Sequence, residues 1–414
     1  MRQRIIERDS AGEPRGAEIR RAGIGLLALG MIGIAAGCGG DTPGTSSTGG
    51  GTTSTGTGSG FTGGVGGESA LQCSVGPRDI LVSDGVGMSP SVAFAADHYL
   101  VAWTSTVKDA GDIRVALLDA KGHKVTEQAL AEGPGEAGFP SVIPEAGGGF
   151  LVVWQDISAS GAAIRGRRVD ALGVPKAAAF TIAQSTSADA RPSAVPAAGG
   201  AAAAWSDGPG ATLGQLTAEQ IANKISIDQA FHPSLGGSGA NLGITWIAGT
   251  KLGASLLPGP NGPLVPVMFR NAPGKPNAPR VAVHEDGTLS VVWEDTRAGD
   301  GKETIYLTRI DKSGKASAER LIPSSAESAN YPDVAWTGSH DAVVYYQYRD
   351  GPPAIYLSLV TKGLTASAPD LKISGDGLAV RYPRIARTGD PVGTLGVVYV
   401  EKDGPIRAAL VACP

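Results

Sequence analysis

From residue 89 onward the chain consists of short apolar runs separated by polar, glycine-rich breaks. The runs recur in a fixed order. A proline opens each unit, at Pro90, Pro140, Pro192, Pro233, Pro279, Pro332 and Pro383, with spacings of 50, 52, 41, 46, 53 and 51 residues. An apolar run follows, as in Pro90-Ser91-Val92-Ala93 or Pro332-Asp333-Val334-Ala335. A second run ends on an aromatic 13 to 16 residues after the proline: Trp103, Trp154, Trp205, Trp246, Trp293, Tyr346 and Tyr399. Five of the six tryptophans share this register, which marks a structural repeat.

The second run is β-branched, as in Leu151-Val152-Val153-Trp154 or Ser290-Val291-Val292-Trp293, and suits a pleated, buried strand. A third strand such as Ile305-Tyr306-Leu307-Thr308-Arg309 closes on an Asp-initiated turn: Asp119-Ala120-Lys121-Gly122, Asp170-Ala171-Leu172-Gly173 or Asp311-Lys312-Ser313-Gly314. A fourth strand, for example Arg320-Leu321-Ile322, leads to the next proline. Four antiparallel strands per unit describe one propeller blade, and seven prolines predict an all-β ring of seven blades. The last unit, from Pro383 to Cys413, holds only three strands. Asp79-Ile80-Leu81-Val82-Ser83, ahead of the first proline, is expected to supply its fourth and close the ring.

The N-terminal region has a different pattern. Residues 1–21 carry six arginines against four acids, and the uncharged stretch Ala22–Gly40 follows. This is the form of an export signal. It ends on Ala35-Ala36-Gly37-Cys38, which resembles the lipobox of bacterial lipoproteins, although Ala35 stands where that family usually has leucine. The resemblance implies cleavage before Cys38, its acylation (a palmitate-type anchor) and membrane attachment. Gly39 after the cysteine favours the outer membrane of the cell envelope, by analogy. The alternative is an uncleaved helix, since 19 uncharged residues can just span a bilayer. Seven glycines and the terminal cysteine argue against it. Under either reading the rest of the chain lies outside the cytoplasm.

From Gly39 to Gly67, 25 of 29 residues are Gly, Ser or Thr, a flexible tether spanning roughly 30 Å. The expected organisation is a signal peptide at 1–37, a lipidated cysteine and tether at 38–72, and a propeller at 73–414. With Cys38 acylated, Cys73 and Cys413 remain, and they flank the two strands of the seam. In an oxidising compartment they are expected to form a disulfide.

Composition narrows the function classes. Glycine is 61 of 414 residues and charged residues are 18 %, which excludes a coiled coil. A net charge of −4 gives no basis for nucleic-acid binding by bulk charge. A hydrophobic fraction of 42 % excludes wholesale disorder.

The proline-initiated strand and the aromatic-x-Asp of Trp154-Gln155-Asp156, Trp205-Ser206-Asp207 and Trp293-Glu294-Asp295 resemble exported propeller-repeat proteins related to the bacterial neuraminidase repeat. The resemblance spans residues 79 to 413 and implies a sialidase-like fold. The Asp-boxes of sialidases are missing, as is their arginine before Ile-Pro; here Arg384-Ile385 follows Pro383. The WD-repeat and kelch patterns do not fit. Blade six is also somewhat similar to the propeller of the Tol envelope system.

A ligand is expected where propellers generally bind, on the face that carries the B–C loops and D–A connections. The residues flanking each proline there are Ser89/Ser91, Phe139/Ser141, Arg191/Ser193, His232/Ser234, Ala278/Arg280, Tyr331/Asp333 and Tyr382/Arg384. One arc reads as small and hydroxylic. The other, on blades five to seven, offers Arg280, Tyr331, Asp333, Tyr382 and Arg384, with Asp295, Arg297, Tyr348 and Arg349 on neighbouring loops. Aromatic rings beside arginine suit a sugar or a peptide. The alternative is structural, with inter-blade ion pairs and tyrosines covering the proline turns.

The five histidines (His98, His123, His232, His284 and His340) are scattered, without metal-ligand spacing, and read as surface or loop residues. No metal or cofactor is expected; Asp156, Asp207 and Asp295 read as turn caps rather than calcium ligands. The leading expectation is a monomeric, non-enzymatic, lipid-anchored scaffold that binds a protein or glycan. One rival is a glycosidase using Asp295 and Asp333, the one pair nominated for a two-carboxylate mechanism. Another is an envelope-assembly partner like the Tol propeller.

Overall fold

The computed structural model describes residues 72–413 except short segments at 107–110, 132–135, 159–160, 271–273, 298–300, 367–368 and 390–392 and positions 350 and 403. Cys38 and the tether lie outside the described residues. The chain enters through β1 (Ser74–Val75) and β2 (Ile80–Ser83). Blade 1 is β3 (Gly87–Ala95), β4 (His98–Ser105), β5 (Asp112–Asp119) and β6 (Lys124–Ala131). Blade 2 is β7 (Glu136–Pro144), β8 (Phe150–Ser158), β9 (Gly161–Val169) and β10 (Pro175–Ser185). Blade 3 is β11 (Ser193–Ala197), β12 (Gly200–Asp207), β13 (Gly210–Thr217) and β14 (Gln220–Asp228). Blade 4 is β15 (Phe231–Ser238), β16 (Asn241–Ala248), β17 (Lys251–Leu257) and β18 (Val267–Phe269). Blade 5 is β19 (Pro276–Val283), β20 (Leu289–Asp295), β21 (Thr304–Ile310) and β22 (Arg320–Leu321). Blade 6 is β23 (Ala329–Trp336), β24 (Asp341–Gln347), β25 (Ala354–Val360) and β26 (Leu371–Lys372). Blade 7 is β27 (Val380–Arg387), β28 (Thr394–Glu401) and β29 (Ile406–Ala412).

The ring closes as the sequence predicts. Both β1 and β2 pair antiparallel with β29, so the outer strand of blade 7 comes from the N-terminal side in two pieces. Between them Asp79 takes a left-handed φ of 55°, and its carboxylate accepts the Tyr399 hydroxyl at 2.9 Å. Cys73 and Cys413 form a disulfide across the seam, 340 residues apart in sequence. On the loop-entropy account such a closure contributes near the top of the usual range of about 2–4 kcal/mol.

Seven separate hydrophobic clusters, each between two consecutive blades, replace a single central core. The second strand of each blade points its aromatic into the cluster shared with the preceding blade. Trp103 packs against blade 7, Trp154 against blade 1, Trp205 against blade 2 and Trp246 against blade 3. Trp293 and Tyr399 continue the series. Burying each such ring stabilises the ring of blades by roughly 1.5–3 kcal/mol. Where Trp246 lies across its neighbouring strand, only glycine fits. A Cβ at Gly253 would stand 2.2 Å from the indole.

Blade 6 corrects the expected register. Asp333 pairs with Val344, as Arg280 pairs with Val292 and Arg384 with Val398, so Tyr345 and not Tyr346 matches the tryptophans. Tyr345 accordingly joins the cluster between blades 5 and 6, while Tyr346 faces blade 7. Two adjacent tyrosines made the spacing ambiguous by one residue, and a one-residue slip changes the face.

Candidate functional site at the channel mouth

Each proline sits at a distortion of the innermost strand. The residue before it is left-handed in all seven blades: Ser89 (φ 49°), Phe139 (53°), Arg191 (41°), His232 (48°), Ala278 (45°), Tyr331 (51°) and Tyr382 (56°). In six blades the ladder register slips around that residue; in blade 3, β11 begins only after Pro192. Non-glycine residues in this conformation each cost about 1–3 kcal/mol and persist only where their surroundings fix them.

Two sets of hydrogen bonds fix them here. In four blades the residue after the aromatic reaches forward and accepts the backbone N–H of the next blade's left-handed residue. Thr104 takes the N–H of Phe139 at 3.2 Å, Gln155 that of Arg191 at 3.1 Å, Ser206 that of His232 at 3.1 Å and Glu294 that of Tyr331 at 3.0 Å. In four blades the residue after the proline forms a second link. Ser91, Ser141, Ser193 and Asp333 accept the N–H groups of Val142, Ala194, Leu235 and Ile385 of the following blades, at 3.0–3.1 Å. The Trp-x-Asp motif therefore owes its middle residue to holding the rim of the next blade.

On this fixed rim the expected residues separate into two groups. Tyr331 and Tyr382 meet edge to face with ring centres 4.7 Å apart, and Tyr346 packs beneath both at 6.0 and 6.1 Å. Arg280 and Arg384 occupy equivalent positions, each donating to the carbonyl of its preceding proline at 2.9 and 2.8 Å. Asp333 lies 4.0 Å from Arg280. Burial first, then the charges of Arg384 and Arg191, pull the Arg280 guanidinium down to about 9 against the opposing pull of Asp333. The guanidinium groups of Arg191 and Arg384, on blades 3 and 7, thus both act on Arg280 of blade 5, which remains cationic at neutral pH. Tyr348 accepts from Arg381 at 3.2 Å and packs against Tyr346 with ring centres 6.1 Å apart.

Arg297 and Arg349 form the second group, and they turn outward. Arg297 stacks on Tyr306 of β21 at 3.9 Å and pairs with Glu319; Arg349 stacks on Tyr356 of β25 at 4.0 Å and pairs with Asp370. They cover the outer strands of their own blades and take no part in the mouth. The nominated pair of carboxylates is corrected likewise. Asp295 is fully buried in a two-bond fork from Arg270, at 2.7 and 2.8 Å, with further donation from Arg297 and from Trp293 at 3.0 Å. Burial would raise its carboxyl, but these donors outweigh burial and hold it below the usual range. Asp333 accepts the Ile385 and Val334 N–H groups in the belt beneath the rim. Neither carboxylate is placed to exchange protons with a substrate.

The three Trp-x-Asp aspartates also differ from the expected turn caps. Asp156 pairs with Arg165 at 3.0 Å; Asp295 does cap the backbone N–H of Arg297 two residues ahead, at 3.2 Å, but is also paired with Arg270 and Arg297; Asp207 accepts the N–H of Thr186 from 21 residues away. The turn chemistry belongs to Asp119, Asp170 and Asp311, whose carboxylates accept from the backbone two and four residues ahead. Among the described residues, no cluster of His, Cys, Asp and Glu has the form of a metal site.

The sequence reading missed a cluster on the arc it took as small and hydroxylic. Asp189, on the connection into blade 3, accepts from Arg191 Nε at 2.5 Å and lies 3.3 Å from His232 Nε2. Arg191 also lies over the Phe139 ring at 4.7 Å. Burial works to raise the Asp189 carboxyl, but the bond from His232 and the charge of Arg191 prevail and hold it at about 2. All three side chains are partly exposed. The one signal available in the sequence was that Phe139, Arg191 and His232 each immediately precede a ring proline.

No family model matches the chain, and no curated protein matches its sequence. Solved structures do match its shape. An ulvan lyase of polysaccharide lyase family PL25 aligns over 81 % of this chain and 96 % of its own, at 10 % identity and TM-score 0.57. A protein of unknown function from Dyadobacter fermentans DSM 18053 aligns over 83 % and 99 %, at 14 % identity and TM-score 0.52. The α-L-arabinofuranosidase of Fusarium graminearum aligns over 82 % and 98 %, at 12 % identity and TM-score 0.51. The likeness is one of fold. It establishes the seven-bladed architecture, and the chemistry has to be argued from the rim.

Proposed function

We propose that this protein is an envelope-anchored propeller that recognises an acidic glycan at its channel mouth. The carrying observation is that Arg191, Arg280 and Arg384 each flank a ring proline on the same rim as the edge-to-face pair Tyr331 and Tyr382, with the charges of Arg191 and Arg384 both acting on Arg280. Guanidinium forks bind carboxylate or sulfate directionally, and tyrosine faces stack on sugar rings. Two of the similar folds, the lyase and the arabinofuranosidase, are glycan-active by their descriptions, which supports a glycan over a protein ligand. In this reading Cys38 is the residue that takes the lipid anchor. Palmitate labelling that is lost in Cys38→Ala tests the anchor.

The ligand class is tested by calorimetry with uronic-acid oligosaccharides and their neutral, carboxyl-reduced counterparts. The acidic series should bind and weaken as salt rises. Arg280→Gln and Arg384→Gln should each cost roughly tenfold or more in affinity, as for lost charged hydrogen bonds of about 1.5–3 kcal/mol. Equal binding of the neutral series would remove the acidic-glycan reading.

A further inference from the structure

His232 is a titratable group at the rim that simple recognition leaves unused. Its backbone is fixed by Ser206, and its Nε2 lies 3.3 Å from Asp189 Oδ2. Asp189 in turn is held from the other side by Arg191, and its own N–H is bonded to Ser187 at 3.2 Å. Gln155, buried, accepts the N–H groups of Ala190 and Arg191 and donates to the Ala188 carbonyl at 3.2 Å, which locks the whole connection. A carboxylate that stays ionised draws the imidazole proton onto Nε2. Nδ1 is then left with its lone pair, and it has no hydrogen-bond partner among the described residues. A base aligned by a third group, on a rigid support, is the arrangement that proton transfer needs.

The order of the ring supplies the substrate chemistry. Arg191 is the rim residue of blade 3, His232 of blade 4, and Arg280 follows the ring proline of blade 5. A carboxylate held between Arg191 and Arg280 is presented to the blade that carries the histidine. Neutralising a uronate carboxylate acidifies the C–H bond beside it, because the pair of electrons left on carbon spreads into the paired carboxyl group. We propose that His232, oriented by Asp189, is the base of a β-elimination that cleaves uronate-containing glycans seated on Arg191 and Arg280. This rests on the acidic-glycan reading and adds a reaction to it.

The step balances without water or oxidant. His232 Nδ1 takes the proton from C5 of the uronate. The C5–H electron pair becomes the C4=C5 π bond as the C4–O glycosidic bond breaks with its electrons on oxygen. The imidazolium returns its proton to that oxygen, giving a 4,5-unsaturated uronate end and a new hydroxyl. His232 is the catalytic residue, Arg191 and Arg280 stabilise the developing charge, and Asp189 is a positioning residue.

The full chain in detergent would be incubated with polyguluronate, polygalacturonate, hyaluronan and a sulfated glucuronate–rhamnose polymer. The unsaturated product is followed by its ultraviolet absorbance, and binding by calorimetry. At least one polymer should yield product. His232→Asn should lower the rate by about a hundredfold or more, the usual share of a general base, with affinity changed by no more than about threefold. His232→Gln serves if His232→Asn fails to fold. Asp189→Asn should lower kcat about tenfold or more with KM changed by no more than about threefold, and Asp189→Glu should restore part of the rate. A merely structural aspartate would change stability and KM together and would not show that split. A polymer that binds but yields no unsaturated product overturns the elimination and leaves the acidic-glycan reading standing. A His232→Asn protein that keeps its rate overturns the histidine's role. If none of the acidic polymers binds, both fall together.

Discussion

Two arginine–carboxylate clusters lie at the B–C and D–A end of the ring, and their accessibility sets them apart. In the first, Arg270 and Asp295 have no exposed side-chain surface, and Arg297 fills the remaining acceptor positions of the carboxylate. In the second, Asp189 keeps 37 % and Arg191 27 % of their side-chain surface, and His232 shares the carboxylate. The residue types are nearly the same. The closed cluster directs its donors at Asp295, the Thr250 carbonyl and Glu319, and works as an adhesive between blades 4 and 5. The open cluster keeps its imidazole and its carboxylate partly exposed at the rim. Position in the repeat explains the difference: Asp295 ends a central strand, whereas Asp189 lies on a connection two residues before the left-handed rim residue.

The largest effect should come from the closed cluster. Asp295→Ala strands a buried guanidinium and should cost about 3–5 kcal/mol in urea unfolding. Acidic-glycan binding should stay intact under folding conditions. If binding is lost while stability is kept, the two clusters have been assigned the wrong way round. Gln155→Ala comes next, because it leaves the Ala190 and Arg191 N–H groups without their acceptor beneath the rim. A cost of about 1–3 kcal/mol is expected, together with weaker acidic-glycan binding as Arg191 loses its fixed backbone. Unchanged affinity would show that the rim does not depend on its supports.

The smallest effect belongs to the open cluster. Asp189→Asn should change stability at neutral pH by less than about 1 kcal/mol, since solvent screens a pair this exposed. The sign with pH is definite. The folded carboxyl sits near 2, below its ordinary value, so its contribution is complete above the unfolded value near 4 and fades as pH falls toward 2. Melting temperatures followed from about pH 6 down to pH 2 should therefore converge for the wild type and Asp189→Asn at the acid end. Curves that diverge there would contradict the assignment.

Much of the architecture was legible from periodicity. The prolines mark the seven left-handed rim residues, the tryptophans mark the inter-blade clusters, and Cys73 and Cys413 mark the seam, because each recurs or pairs at a spacing that the ring imposes. The site was less legible. Arg297 and Arg349 looked like ligand-facing loop residues, but tyrosines on the adjacent strands gave them aromatic surface to cover. Asp333 looked like an acid and is a substitute for the serines of the belt, accepting the same backbone N–H as Ser91, Ser141 and Ser193 do. Asp189 and His232 are 43 residues apart in sequence and share no periodic signal; only the curvature of the ring brings them together.

The most direct measurement is a crystal structure of the chain with an acidic oligosaccharide bound. The account predicts the ligand's carboxylate within hydrogen-bonding distance of Arg191 and Arg280, with a sugar ring against Tyr331 or Tyr382. A ligand bound instead at the outer strands beside Arg297 or Arg349, with the mouth empty, would contradict it.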